Sequence, residues 1–287
     1  MKNRFMAFGL LLFVVSGITF GLFWKTRIAI DDQKPLVIIH CFGKVASISL
    51  EQTFKRDFPS LEVYRTHILQ PNDKKIQYQL QYYKSEGNQN SYESTKTQLK
   101  VAEKILRKID EAKKSKRKVY FVTGIREPVS LYLSAYFQEF YDTSQSVDHV
   151  MSALSLGLKE YSDVQNWWAT EFFDYHKLSF EEFERKVYKK GNLWVLEKED
   201  NIEIIMYRFE DLVFDEIMRT FNSQWQGVVA QENRAENKPY KEDYSYVKEN
   251  IKFNPEHLEV LLSLPIVNFF YSKSEIQEIK NRFSLLD

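Results

Sequence analysis

Residues 36–50 read LVIIHCFGKVASISL, and the fold turns on them. The first half is apolar, β-branched and uninterrupted, the composition of a strand buried on both faces. Gly43, Lys44 and the hydroxyls of Ser47 and Ser49 follow, and then a segment of helical character over residues 48–58, closed by Pro59. A strand, a tight loop and a helix start in this order make an anion site. The first-turn N–H groups of a helix have no partner inside it and carry partial positive charge, which favours a phosphate. Lys44 adds a full charge, and the two serines add donors. Taken alone, the same stretch also reads as an ordinary strand–helix turn.

Working outward, residues 61–65, 119–122 (VYFV) and 202–207 (IEIIMY) carry further strand patterns. Leu99, Ala102, Ile105, Leu106, Ile109 and Ala112 share one face of a helix, whose basic end at residues 113–118 reads as a solvated terminus. Residues 130–140 read as helical, as do pieces around 255–264 and 274–283, whereas residues 70–98 are polar and read as a loop or a partly helical insertion. Strands alternating with helices predict an α/β domain with a central, mainly parallel sheet and helices on both faces. No internal repeat or Pro/Gly-rich linker divides it.

The chain has 287 residues, with 40 basic and 40 acidic side chains. Zero net charge gives no global field for polyanions, so nucleic acid is not the expected partner and any anion site is built locally. The single cysteine, Cys41, excludes an intramolecular disulfide, and there is no Asn-x-Ser/Thr site. Residues 5–24 form 20 positions without a charge, enough for roughly 30 Å of helix, the thickness of a bilayer core. The expectation is an uncleaved single-pass anchor over residues 1–27 and a catalytic domain over 28–287. A cleaved signal peptide is the competing reading, and Lys2 and Arg4 before the span balance Lys25 and Arg27 after it, leaving orientation open.

The second motif is VYFVTGIREPVSLYLSAY, residues 119–136. A strand delivers Arg126, Pro128 stiffens the turn, and Ser134 lies eight residues on. Guanidinium and hydroxyl together suit a phosphate monoester, because arginine bonds it bidentately. The triphosphatase pattern G-x-x-x-x-G-K-[ST] fails at the first loop, where Ile38 and Val45 stand at required positions. Two anion sites at the C-terminal ends of two strands are where open α/β sheets bind ligands, and a nucleoside with a phosphate at each end would bridge them.

GKVASISL together with IREPVSLYLSAY resembles the paired signature loops of sulfotransferases that use 3′-phosphoadenosine 5′-phosphosulfate (PAPS), in particular the carbohydrate-directed branch. The blocks NWWATEFF, MYRFEDL, NRAENK and FFYS are more loosely similar to bacterial sulfotransferase-like proteins described as putative capsular polysaccharide synthesis proteins. The resemblance implies a P-loop-like three-layer sandwich and PAPS as donor, with no metal. It implies that Gly43, Lys44, Val45, Ala46, Ser47, Ile48 and Ser49 grip the 5′-phosphosulfate, Arg126 and Ser134 the 3′-phosphate, and that Lys238 supports a loop over the nucleotide. A glycan is the implied acceptor. The catalytic domain would face the cytoplasm in a bacterium and the Golgi lumen in a eukaryote.

The residue types suit the chemistry. Sulfuryl transfer is an in-line displacement in which charge builds on the leaving oxygen, and Lys44 can stabilise it. An acceptor hydroxyl needs a base. His67, after the second strand, is one candidate; Glu171, in WWATEFF, is another; Glu51 is a third; His40 lies before the loop and reads as a packing residue beneath it. Trp167, Trp168, Phe172, Phe173 and Tyr175 suit either a sugar face or the core. Two other functions fit the same loops: a different nucleotide-dependent transferase or kinase, and a non-catalytic membrane protein that binds PAP, the desulfated nucleotide.

Overall fold

The computed structural model describes residues 34–139, 141, 144–157, 167–198, 201–211, 213–230 and 238–285. The expected anchor over residues 1–27 lies outside these, and no helix among the described residues is long and apolar enough to cross a membrane. Among the described residues six strands form one mixed sheet: β1 (Leu36–His40), β2 (Glu62–Thr66), β3 (Val119–Ile125), β4 (Tyr188–Lys190), β5 (Leu193–Lys198) and β6 (Ile202–Arg208), in the order β2-β1-β3-β6-β5-β4. The first four in that order run parallel, while β5 is antiparallel to β6 and β4 to β5.

β1 is buried along its whole length because both its faces are covered. Leu36 and Ile38 point to one core, with the helices α3 (Gln89–Lys114), α4 (Pro128–Glu139), α8 (Lys241–Asn250), α9 (Pro255–Leu262), α10 (Pro265–Phe270) and α11 (Lys273–Phe283). Val37 and Ile39 point to the other, where α1 (Ser47–Asp57) and α7 (Phe214–Phe221) pack. This is the alternation a doubly covered strand requires. The aromatic cluster joins the first core through a π-helical turn, Trp168–Asp174, with Trp168 and Phe172 buried and Phe173 and Tyr175 packed against them.

The sequence expectation holds for β1, β2, β3 and β6 and for helices on both faces. Two features differ from it. Residues 70–98 are helical: α2 (Lys74–Ser85), capped by the Asp73 carboxylate, and the first half of α3, capped by Asn88, joined by a turn in which Gly87 takes φ +68°. The segment before β6 holds a two-residue hairpin, β4–β5, turning at Gly191 (φ +64°) and Asn192, so the sheet is mixed at that edge. The short helix α5 (Val147–Gly157) follows α4, and α6 (Phe180–Lys186) precedes the hairpin.

Candidate functional site

Because β2, β1, β3 and β6 are parallel, the loops after them gather along one edge of the sheet. The loop after β1 turns by two left-handed residues, Lys44 (φ +69°) and Ala46 (φ +59°). Neither is glycine, and each such conformation costs roughly 1–2 kcal/mol, strain that concentrates at functional sites. Gly43 is not the conformational hinge, and a side chain there would meet nothing within 4 Å. Ala46 starts α1 without a side-chain cap, and the first turn holds no acid. Ser47 and Ser49, the candidate hydroxyl donors, lie in the first turn of α1 and are both buried.

The loop is propped from below. The Tyr207 hydroxyl donates to Val45 O at 2.5 Å, and its buried ring lies over Gly124, its register partner on β3. A Cβ at Gly124 would stand 2.5 Å from Tyr207 Cζ, so glycine is required there by close approach. Cys41 lies in the same layer, and burial pushes its thiol up to about 12, leaving it inert as a nucleophile.

Arg126 leaves β3 and returns toward the first loop. Its Nη1 donates to Lys44 O at 3.2 Å, its guanidinium lies 4.7 Å from the Phe209 ring, and its buried Nε has no hydrogen-bond partner. Lys44 Nζ donates to Gln138 Oε1 on α4. Ser134 is one helical turn before Gln138 on the same face of α4. On α8, burial, and then the charge of Arg126, hold the Lys248 ammonium below the usual range. Lys238 is half-buried in the turn before α8, its carbonyl accepting from Lys241 N at 3.1 Å. Tyr240, two residues on, packs against Phe137, the neighbour of Gln138.

Glu127 has a separate task. Its carboxylate accepts from Val129 N (2.6 Å) and Ser130 N (2.8 Å), closing the start of α4, while its own N–H donates to Glu210 Oε1 at 2.7 Å. Glu210 also accepts from the Tyr271 hydroxyl at 2.8 Å. The MYRFEDL and FFYS blocks thus frame the Arg126 turn from outside the site; of NRAENK only Lys238 lies within the described residues.

The candidate bases separate clearly. His67 Nδ1 bonds Cys41 O at 2.6 Å, which fixes the proton on Nδ1; its Nε2 lone pair lies 3.2 Å from Arg65 Nη1. Burial, above all, and the charge of Arg65 lower its pKa from 6.5, so the ring is neutral near pH 7. Glu171 is 4% exposed, and its Oε2 accepts from Leu69 N at 2.5 Å and Gln70 N at 3.3 Å, with His40 Nε2 at 3.6 Å. It holds the chain after β2 rather than reaching an acceptor. Trp167 Nε1, at the start of the π-helical turn, donates to His67 O at 2.8 Å, while Glu171 holds the two residues Leu69 and Gln70 just beyond it. Glu51 is ion-paired with Lys55 (2.7 Å) and Arg65 (2.9 Å); burial opposes the shift, but these cations hold its carboxyl below the usual range, making it a poor base. His40 is fully buried and kept neutral by burial, as a packing residue beneath the loop.

Gln138, Lys248, Glu127 and Glu210 were not legible as site residues in the sequence. Only Glu127, beside Arg126 and before Pro128, carried a local signal, that of a helix start. The chain is an α/β protein with a mixed central sheet, helices on both sides, and two loops brought together after the adjacent strands β1 and β3. No family model, curated protein or solved structure matches the chain.

Proposed function

We propose that this chain is a PAPS-dependent sulfotransferase acting on a glycan hydroxyl, built as a P-loop-like three-layer sandwich on a single-pass anchor. The observation that carries the reading is the Arg126 Nη1 bond to Lys44 O, which sets the two phosphate loops side by side. The residues suit a nucleotide with two phosphate groups: an uncapped helix start at Ala46 for one, and the unpartnered Nε of Arg126 for the other. Val45, Ile48 and Gly43 shape the first loop, Ser47 and Ser49 donate from it, Arg126 and Ser134 take the 3′-phosphate, and Lys238 supports a loop over the nucleotide; an anion would relieve the repulsion between Arg126 and Lys248.

When bound, PAPS supplies the sulfuryl group, whose sulfur leaves the bridging phosphate oxygen for the acceptor oxygen, giving a sulfate ester, PAP and one proton. Lys44 stabilises charge developing on the bridging oxygen. His67 Nε2 takes the proton once the acceptor hydroxyl replaces Arg65 as its donor, and the Nδ1–H bond to Cys41 O steadies the imidazolium. Glu171 and Trp167 position the histidine. A cytosolic supply of the donor puts the catalytic domain on the cytoplasmic side in a bacterium; in a eukaryote it lies in the Golgi lumen.

The test is transfer itself. Full-length protein, PAPS and a panel of oligosaccharides are incubated, and the products are read by mass spectrometry for an added sulfate. The proposal expects sulfated product without added metal. Its rate falls as pH drops below the ordinary histidine value of 6.5 and through the lowered pKa of His67, because the protonated ring is no longer a base. Binding of ATP with metal, and no competition by PAP, would replace this reading with another nucleotide-dependent transferase or kinase. PAP binding without transfer to any acceptor would leave a non-catalytic nucleotide-binding protein.

A further inference from the structure

A groove of about 540 Å³ opens beside His67, between the end of β2 and the first half of α3. Arg65, Thr66 and His67 form one wall, and Glu93, Ser94, Thr97, Gln98 and Val101 the other. The second set is one stripe of α3, spaced at three and four residues, from the polar insertion that no phosphate loop uses. The volume falls in the range of about 300–1,000 Å³ typical of ligand sites.

The lining is specific in its chemistry. Ser94, Thr97 and Gln98 both donate and accept hydrogen bonds, as sugar hydroxyls do, and Val101 offers an apolar floor to the C–H face of a pyranose. Charge is balanced or slightly negative: Arg65 Nε is already matched by Glu51 Oε2 at 2.9 Å, and Glu93 adds a carboxylate. The groove therefore does not select an anionic sugar. The aromatic cluster at residues 167–175, the other place a sugar could have stacked, is committed to the core.

We propose that this groove holds a neutral pyranose unit of an oligosaccharide, with its hydroxyl directed to His67 Nε2. The proposal rests on the transferase reading only in calling that sugar the acceptor; binding can be read without a donor. Saturation-transfer NMR on the full-length protein, in a detergent without a sugar headgroup, is run with maltoheptaose, chitohexaose and an oligogalacturonate. The expected result is transfer to at least one neutral oligosaccharide and none to the uronate. The double substitution Ser94→Trp and Thr97→Trp, at exposed helix positions, fills the groove and should abolish the signal with thermal stability and PAP affinity unchanged. Equal signal from the uronate, undiminished signal in the double variant, or no signal from either neutral sugar at millimolar concentration would overturn it. PAP binding by the wild type alongside such a failure leaves the donor reading standing. Sugar binding without PAP binding supports the groove and removes the donor reading.

Discussion

Helix α1 begins on Ala46, which makes no side-chain cap and is followed by no acid in the first turn, whereas α4 begins with both carboxylate oxygens of Glu127 on Val129 N and Ser130 N. The two starts lie at the ends of adjacent parallel strands, β1 and β3. One carries no cap from its own N-cap side chain. The other closes its first N–H groups with its own acid and turns a side chain, Arg126, toward its neighbour. In the proposed sulfotransferase, two phosphates at one sheet edge would be recognised by different means, backbone amides and dipole at the first and a guanidinium at the second. A carboxylate at α1 or an open α4 would blur that division.

The sharpest way to break the contrast is at Lys44. Lys44→Ala removes the charge placed on the leaving oxygen, and the transfer rate should fall about 10²–10³-fold, as for loss of a preorganised transition-state donor. Steady-state kinetics against wild type read it, and an unchanged rate would remove Lys44 from the chemistry. Glu127→Ala opens α4. The loss of a cap on two buried N–H groups should lower unfolding stability by about 1–2 kcal/mol, read by urea denaturation. Unchanged stability would mean that the closed start of α4 contributes nothing to the fold. The smallest effect is expected at Ala46. Ala46→Gly relieves a left-handed residue while leaving α1 uncapped, and stability should rise by up to about 1 kcal/mol. A destabilised Ala46→Gly variant would show that the loop is not strained there.

The strands β1, β3 and β6 were legible because each is a mostly apolar, β-branched run whose buried residues are covered on both faces of the sheet. Residues 70–98 were not, since the face of α2 and early α3 is never buried and so shows no apolar period; only Asp73 and Asn88, as caps, marked the helices. The β4–β5 hairpin carried a Gly-Asn turn signal at residues 191 and 192, but β4 is three exposed residues at the sheet's edge, too short to show a strand pattern. Glu171 read as a possible base because its type fits one. Its burial against Leu69 N and Gln70 N arises from contacts about a hundred residues away in sequence, which no local pattern encodes. Gln138 and Lys248 join the site by the same kind of long-range packing.

Titration calorimetry of PAP into the full-length protein tests most directly the proposed clamp with its two different phosphate-binding ends. Wild type should bind, and Arg126→Ala should weaken binding by about 1.5–3 kcal/mol, roughly ten- to more than a hundredfold, through loss of charge-assisted bonds. No binding of PAP to the wild type, or equal affinity in Arg126→Ala, would contradict the clamp.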